Sequence, residues 1–167
     1  DNEPILSCSY PAPRVNCKNV ITVEGLNKQI ESQSGLHPLQ EAFIKHGAVQ
    51  CGFCIPGQLM TAYGLLLRNS SPSREDIRHA LKDTLCRCAG YPTIENSILA
   101  AAEALRTKQP VAEPKIPDSK RALRVIGKMN QRPESIAKVT GEALYTDDLK
   151  FENMLYGKAK HAEIPHA

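Results

Sequence analysis

Tryptophan is absent from this sequence, and aromatic residues make up only 5% of it. The basic residues are scattered, and no basic cluster is interleaved with aromatics. A charged track with stacking platforms is therefore missing, and nucleic acid is not an expected partner. Charge of one sign is also in short supply: 21 basic residues face 18 acidic ones. That balance reads as a solvated surface. No apolar run reaches the roughly 18 residues that a membrane helix needs, so no membrane is expected as a partner. The opening stretch DNEPILSCSYPAPR lacks the basic start and apolar centre of a secretory signal. It begins with Asp1 rather than Met, which leaves room for a segment ahead of it.

What is present points to a folded protein. Hydrophobic residues make up 41% of the 167 positions, enough for a buried core rather than disorder. Six cysteines could suggest a disulfide scaffold. Such scaffolds are smaller and richer in loops, and a Cys-x-Cys pair strains a local disulfide. Four of the cysteines instead fall in two tight pairs, as metal ligands do.

Residues 1–34 read as extended and loop-like, with β-prone runs around Arg14 and Val15 and over VITV (20–23), flanking a turn near Asn16. GLHPLQEAFIKHG (35–47) is predicted helical, with Leu36, Leu39, Phe43 and Ile44 on one face and Gly47 at its end. A second helix is predicted over 55–69, with Pro56 in its first turn. The third, over 73–83, opens on Ser73 and Asp76 at capping-box spacing. The fourth, over 92–106, buries Ile94, Ile98, Ala101, Ala102 and Leu105. Residues 107–124 are rich in Pro and charge and read as an extended linker. Beyond Val125, TGEALYTDDL (140–149) and MLYGKAKHAEI (154–164) alternate in polarity and are predicted as short strands. That second module is too small to fold alone, so the chain is expected to be a piece of something longer.

The cysteine spacing is Cys51-x2-Cys54, then 31 residues, then Cys86-x-Cys88. Thiolates are soft ligands, and four of them suit an iron–sulfur cluster or zinc. Each pair directly precedes a predicted helix, where free N–H groups and the positive dipole end face the site. A [2Fe-2S] core on four thiolates is formally about −2 oxidised and about −3 reduced, and such helix ends favour that charge. Gly52, Gly57 and Gly90 let the backbone approach the sulfurs. Zinc ribbons use two Cys-x2-Cys knuckles on hairpins, so the helix setting and the one-residue spacer favour iron–sulfur. His161 and His166 stand five apart on a predicted strand, hence on opposite faces, and are not expected to share a metal.

HPLQEAFIKHGAVQCGFCIPGQLMTAYGLL, followed by EDIRHALKDTLCRCAGYPTI, closely resembles the second [2Fe-2S] domain of the molybdenum hydroxylases, the xanthine dehydrogenase and aldehyde oxidoreductase family. The resemblance runs continuously over 35–106. Upstream, Ser7-Cys8 resembles the end of the preceding plant-type ferredoxin domain, which would make Cys8 a ligand of a second [2Fe-2S] cluster whose other ligands lie outside this chain. Cys17 matches no family ligand and is read as a turn thiol. Downstream, SIAKVTGEALYTDDLKFENMLYGKAKHAEIPHA (135–167) resembles the opening of the molybdenum-cofactor domain, although Arg132 is followed by PES where many members carry Arg-x-Asp.

The resemblance implies a mainly α fold. A four-helix bundle with two-fold pseudo-symmetry would span 31–106, after a ferredoxin-like tail over 1–30. The linker of 107–124 would lead into the first β-strands of an α/β hammerhead domain over 125–167. Cys51, Cys54, Cys86 and Cys88 would hold the cluster nearer the molybdenum centre, with Gln50 and Cys88 touching the pterin of a molybdopterin-type cofactor. Electrons from hydroxylation of a purine, aldehyde or N-heterocycle would leave through the clusters. No catalytic residue is expected in this stretch. The module order resembles the flavin-less members, with a separate flavin subunit or an external acceptor as electron partner. The rest of the molybdenum-domain polypeptide, a homo-oligomeric assembly and a cytoplasmic location are also implied. Two other readings stay open: a stand-alone iron–sulfur subunit and a zinc-stabilised interaction module.

Overall fold

Pro38 and Gln40 fix the start of the first helix. The computed structural model describes residues 2–32, 34–115, 125 and 130–165. In it α1 runs over Pro38–Lys45. His37 precedes it, and its Nδ1 accepts the Leu39 N–H at 3.1 Å. Gln40 Oε1 accepts the His37 N–H at 2.9 Å, closing a reciprocal cap. Gly47, at φ 69°, ends the helix. Its N–H bonds the Ile44 carbonyl, and the Ala48 N–H bonds that of Phe43, the paired pattern of a Schellman cap.

Three more helices follow as predicted, with ends that move by a few residues. They are α2 over Ile55–Arg68, α3 over Arg74–Ala80 and α4 over Tyr91–Thr107. The Ser73–Asp76 capping box forms. α1 packs chiefly on α4, and α2 and α4 both meet α3. Phe43, Leu39, Leu59, Ile77, Ile94 and Ile98 lie fully inside. Gln58 Nε2 donates to the Thr84 carbonyl at 2.9 Å, tying α2 to the approach to Cys86. Buried Glu95 on α4 takes Arg78 at 2.7 Å and Arg74 at 3.2 Å, tying α4 to α3.

The ends of the chain depart from expectation. No strand forms among the described residues. Arg14 and Val15 lie in a short 3-10 helix, Ala12–Val15, and Val23 opens another, Val23–Gln29. Val23 and Leu26 on the latter are buried in the helical core. The strands expected over 140–149 and 154–164 are likewise not formed. Ser135–Thr140 is instead a short helix, α5, closed by Gly141 at φ 84°, and Thr146–Asp148 is a 3-10 turn. Polarity alternation marks a strand only where a partner supplies ladder hydrogen bonds, and none is present among these residues. α5 packs against α1, α2 and the 3-10 helix at 23–29, with Val139 fully buried. The first part of the expected linker also rests on the core: Val111 is buried, and its carbonyl accepts Lys45 Nζ at 2.9 Å. Residues 116–124 of that linker, and His166, lie outside the described residues.

Candidate metal centre

The two cysteine pairs meet at the N-termini of α2 and α4. Cys54 is the N-cap of α2, and Gly90, two residues after Cys88, is the N-cap of α4. The thiols sense one another electrostatically: Cys88 acts on Cys51, and Cys86 and then Cys51 act on Cys54. All four are free thiols in a gradient of exposure, with Cys86 buried, Cys54 and Cys88 half-buried, and Cys51 exposed.

Their protonation differs accordingly. Burial pushes the Cys54 thiol up to about 12, and adjacent Cys86 adds to the rise. The Phe53 N–H lowers Cys51, helped by Cys88 and then by the charge of Lys138, while burial opposes them. A metal that binds here must displace protons, above all from Cys54.

Among the described residues, no three His, Cys, Asp or Glu side chains converge closely enough to hold one metal ion. A single zinc requires all four thiolates on one centre. Cys51, Cys54, Cys86 and Cys88 would together hold a [2Fe-2S] cluster, which would supply a one-electron store. Four thiolates at helix N-termini fit a [2Fe-2S] cluster, whose negative charge such ends favour.

The loops are shaped from different sides. At 86–88, the Tyr91 hydroxyl accepts the Cys86 N–H at 2.9 Å, and the Gly90 N–H points at Cys86 Sγ at 3.4 Å. Ala89 adopts a left-handed φ of 55°. At 50–52, the partners come from 88 and 94 residues downstream: Lys138 Nζ donates to the Gln50 carbonyl at 3.0 Å, and the Tyr145 hydroxyl to the Cys51 carbonyl at 3.2 Å. Burial, followed by the nearby Cys51 charge, raises Tyr145 and keeps it an O–H donor. Neither Lys138 nor Tyr145 was expected at the site. KVTGEALY attracted notice only as a family-like stretch, and no periodicity rule links it to residue 50.

Gln50 lies in a cleft shared with Thr93, Asn130, Arg132 and Ser135. Its Nε2 is 3.2 Å from where a Cβ on Gly90 would sit, and its side chain has no hydrogen-bond partner among the described residues. Cys8 is exposed in a turn over 7–10, and no hydrogen bond ties it to the four thiols. Cys17 is exposed in a turn with φ 58°, as expected. His161 is exposed in irregular chain.

Comparison with known proteins gives the following. The [2Fe-2S] binding domain family matches residues 22–99. Aldehyde oxidoreductase of Megalodesulfovibrio gigas is 35% identical over 177 aligned positions, covering 98% of this chain and 19% of that one. The nicotine 6-hydroxylase small subunit of Paenarthrobacter nicotinovorans is 43% identical, covering 65% of this chain and 62% of its own length. The solved structure of aldehyde oxidoreductase from Desulfovibrio gigas superposes with a TM-score of 0.71 at 35% identity, over 89% of this chain and 16% of that one. The chain thus spans about a fifth of the first relative and about three fifths of the second. Among the described residues, no helix is long and apolar enough to cross a membrane.

Proposed function

This chain belongs to the molybdenum hydroxylase family through its [2Fe-2S] binding domain, and from that premise we propose that it carries electrons away from a molybdopterin centre. The observation that carries this reading is the placement of the Cys51/Cys54 and Cys86/Cys88 pairs at the N-termini of α2 and α4, within a matched [2Fe-2S] binding domain. Cys51, Cys54, Cys86 and Cys88 would together hold the cluster. When bound, the cluster supplies a one-electron store between the molybdenum centre and the next acceptor. The chain's own part is to hold four thiolates, direct the N–H groups of Phe53 and Gly90 at sulfur, and keep one face of the site buried.

Gln50 and Cys88 are assigned to the pterin side. The support is the Gln50 amide in its cleft, which has no hydrogen-bond partner among the described residues and can both donate and accept. Cys8 is assigned to a second [2Fe-2S] cluster completed by residues outside this chain. Residues 31–106 then form the cluster-binding bundle, after a ferredoxin-like tail over 1–30. Its pseudo-two-fold relation is supported by Pro56 and Pro92, each in the first turn of the helix that follows a cysteine pair. A linker over 107–124 leads to the start of a molybdenum domain over 125–167. The match to aldehyde oxidoreductase over 98% of the chain includes this tail, which favours it over a stand-alone iron–sulfur subunit. The substrate class would be an aldehyde, purine or N-heterocycle.

Cys54→Ser and Gln50→Ala test the assignment in the native protein. Cys54→Ser is expected to abolish one of two paramagnetic cluster signals and to stop turnover. Gln50→Ala is expected to keep both signals while lowering molybdenum-cofactor content or turnover. Unchanged cluster content in Cys54→Ser would remove the ligand assignment, and wild-type cofactor content and turnover in Gln50→Ala would remove the pterin role.

A further inference from the structure

Two side chains that serve no ligand role converge on the cluster loop from α5 and the turn after it. Lys138 Nζ holds the Gln50 carbonyl at 3.0 Å, and the Tyr145 hydroxyl holds the adjacent Cys51 carbonyl at 3.2 Å. The Lys138 side chain is only 11% exposed. Its stem lies on Gly52, where an added Cβ would come within 2.7 Å of Lys138 Cδ and closer still to the Tyr145 hydroxyl. The absence of a side chain at Gly52 is what admits both residues.

The segment is fixed independently of the thiols. Val139 is fully buried, and its carbonyl accepts Gln40 Nε2 at 2.9 Å. Gln40 is itself fully buried and locked by the His37 N–H. Lys138 is therefore delivered by a rigid mount, not by a floating surface chain.

The chemistry of such an arrangement is directional. Reduction makes a four-thiolate [2Fe-2S] core more negative by one charge. A fixed ammonium beside a ligand thiolate stabilises the reduced form, more strongly where water is excluded. The carbonyl oxygens of residues 50 and 51 carry partial negative charge and would oppose reduction; both are engaged by donors. Glu134 acts against this effect, since its Oε1 lies 3.2 Å from Lys138 Nζ and is shared with Arg132 at 2.7 Å.

We infer that Lys138 and Tyr145 are positioning residues that raise the reduction potential of the cluster on Cys51, Cys54, Cys86 and Cys88, so that the segment beginning the second module sets the redox poise of the first. This rests on the cluster assignment above. The test is a redox titration of the native, cluster-loaded protein followed by electron paramagnetic resonance.

Lys138→Met is expected to shift the oxidised-to-reduced ratio about tenfold towards oxidised, which is about 59 mV for a one-electron couple. Lys138→Arg should restore most of that shift, because it keeps the charge. Tyr145→Phe should shift the same way by less, and Glu134→Gln the opposite way. Should Lys138→Met fail to retain its cluster, Tyr145→Phe and Glu134→Gln decide the matter. Wild-type potentials in the variants that retain the cluster, or a fall in Lys138→Arg as large as in Lys138→Met, would overturn the inference. Failure of the cluster assignment looks different: the Cys54→Ser protein would keep both signals.

Discussion

The two cysteine loops hold their proposed ligands by opposite means. The 86–88 loop is braced from within four residues of itself, by Tyr91 and Gly90 at the start of the helix it feeds. Its Cys86 is buried. The 51–54 loop begins at an exposed cysteine, and its carbonyls are held from α5 and the chain beyond it. One half of the site is thus a local product of helix capping. The other half is complete only when a distant segment docks. A redox site built this way can place its ligands from short-range sequence and leave its tuning to the tertiary structure.

The largest expected effect comes from Gly52→Ala. Gly52 stands at φ +95°, and a Cβ there would meet Lys138 Cγ at 2.8 Å. Left-handed strain and displacement of the two donors together should cost about 3 kcal/mol. Urea unfolding should show that loss, and hydrogen exchange should place it at 50–54 and α5 while 86–91 stays protected. A loss below about 0.5 kcal/mol would mean that the 51–54 loop does not depend on its distant brace.

Acid provides a second way to separate the loops. Burial drives His37 down to about 4 from its ordinary 6.5. Between those values the unfolded chain binds a proton that the folded chain refuses. Stability is therefore full above pH 6.5 and falls as pH drops towards and through about 4. The fall between pH 7 and pH 5 should be roughly 2 kcal/mol. Protonation removes the Nδ1 acceptor that caps Leu39, next to the Gln40 that anchors Val139 and hence Lys138. The 51–54 loop should loosen first. His37→Asn supplies an N-cap acceptor without a titrating ring and should flatten the dependence, checked by urea midpoints at both pH values.

What the sequence disclosed follows the same division. The helices, the Ser73–Asp76 cap, the Gly47 stop and the placing of each cysteine pair at a helix start all rest on local rules, and the structure bears them out. Lys138 and Tyr145 stayed hidden because 88 and 94 residues separate them from their acceptors. The strands expected over 140–149 and 154–164 are absent among the described residues for a related reason. Alternation reports a face to be covered, not the partner that covers it, and without a partner α5 and a 3-10 turn satisfy the backbone locally.

The smallest expected effect tests the locally braced loop. Tyr91→Phe removes the hydroxyl that accepts the Cys86 N–H at 2.9 Å and leaves the ring in place. The amide belongs to a buried residue, so losing its acceptor should cost about 1 kcal/mol. The effect should stay local, because Gly90 still donates to Cys86 Sγ and α4 keeps its buried stripe of Ile94, Ile98 and Ala101. Hydrogen exchange should quicken at Cys86 and its neighbours, leaving 50–54 unchanged. If exchange instead quickens in both loops, the two halves of the site form one cooperative unit, and the distinction between a locally and a distantly braced loop would fall.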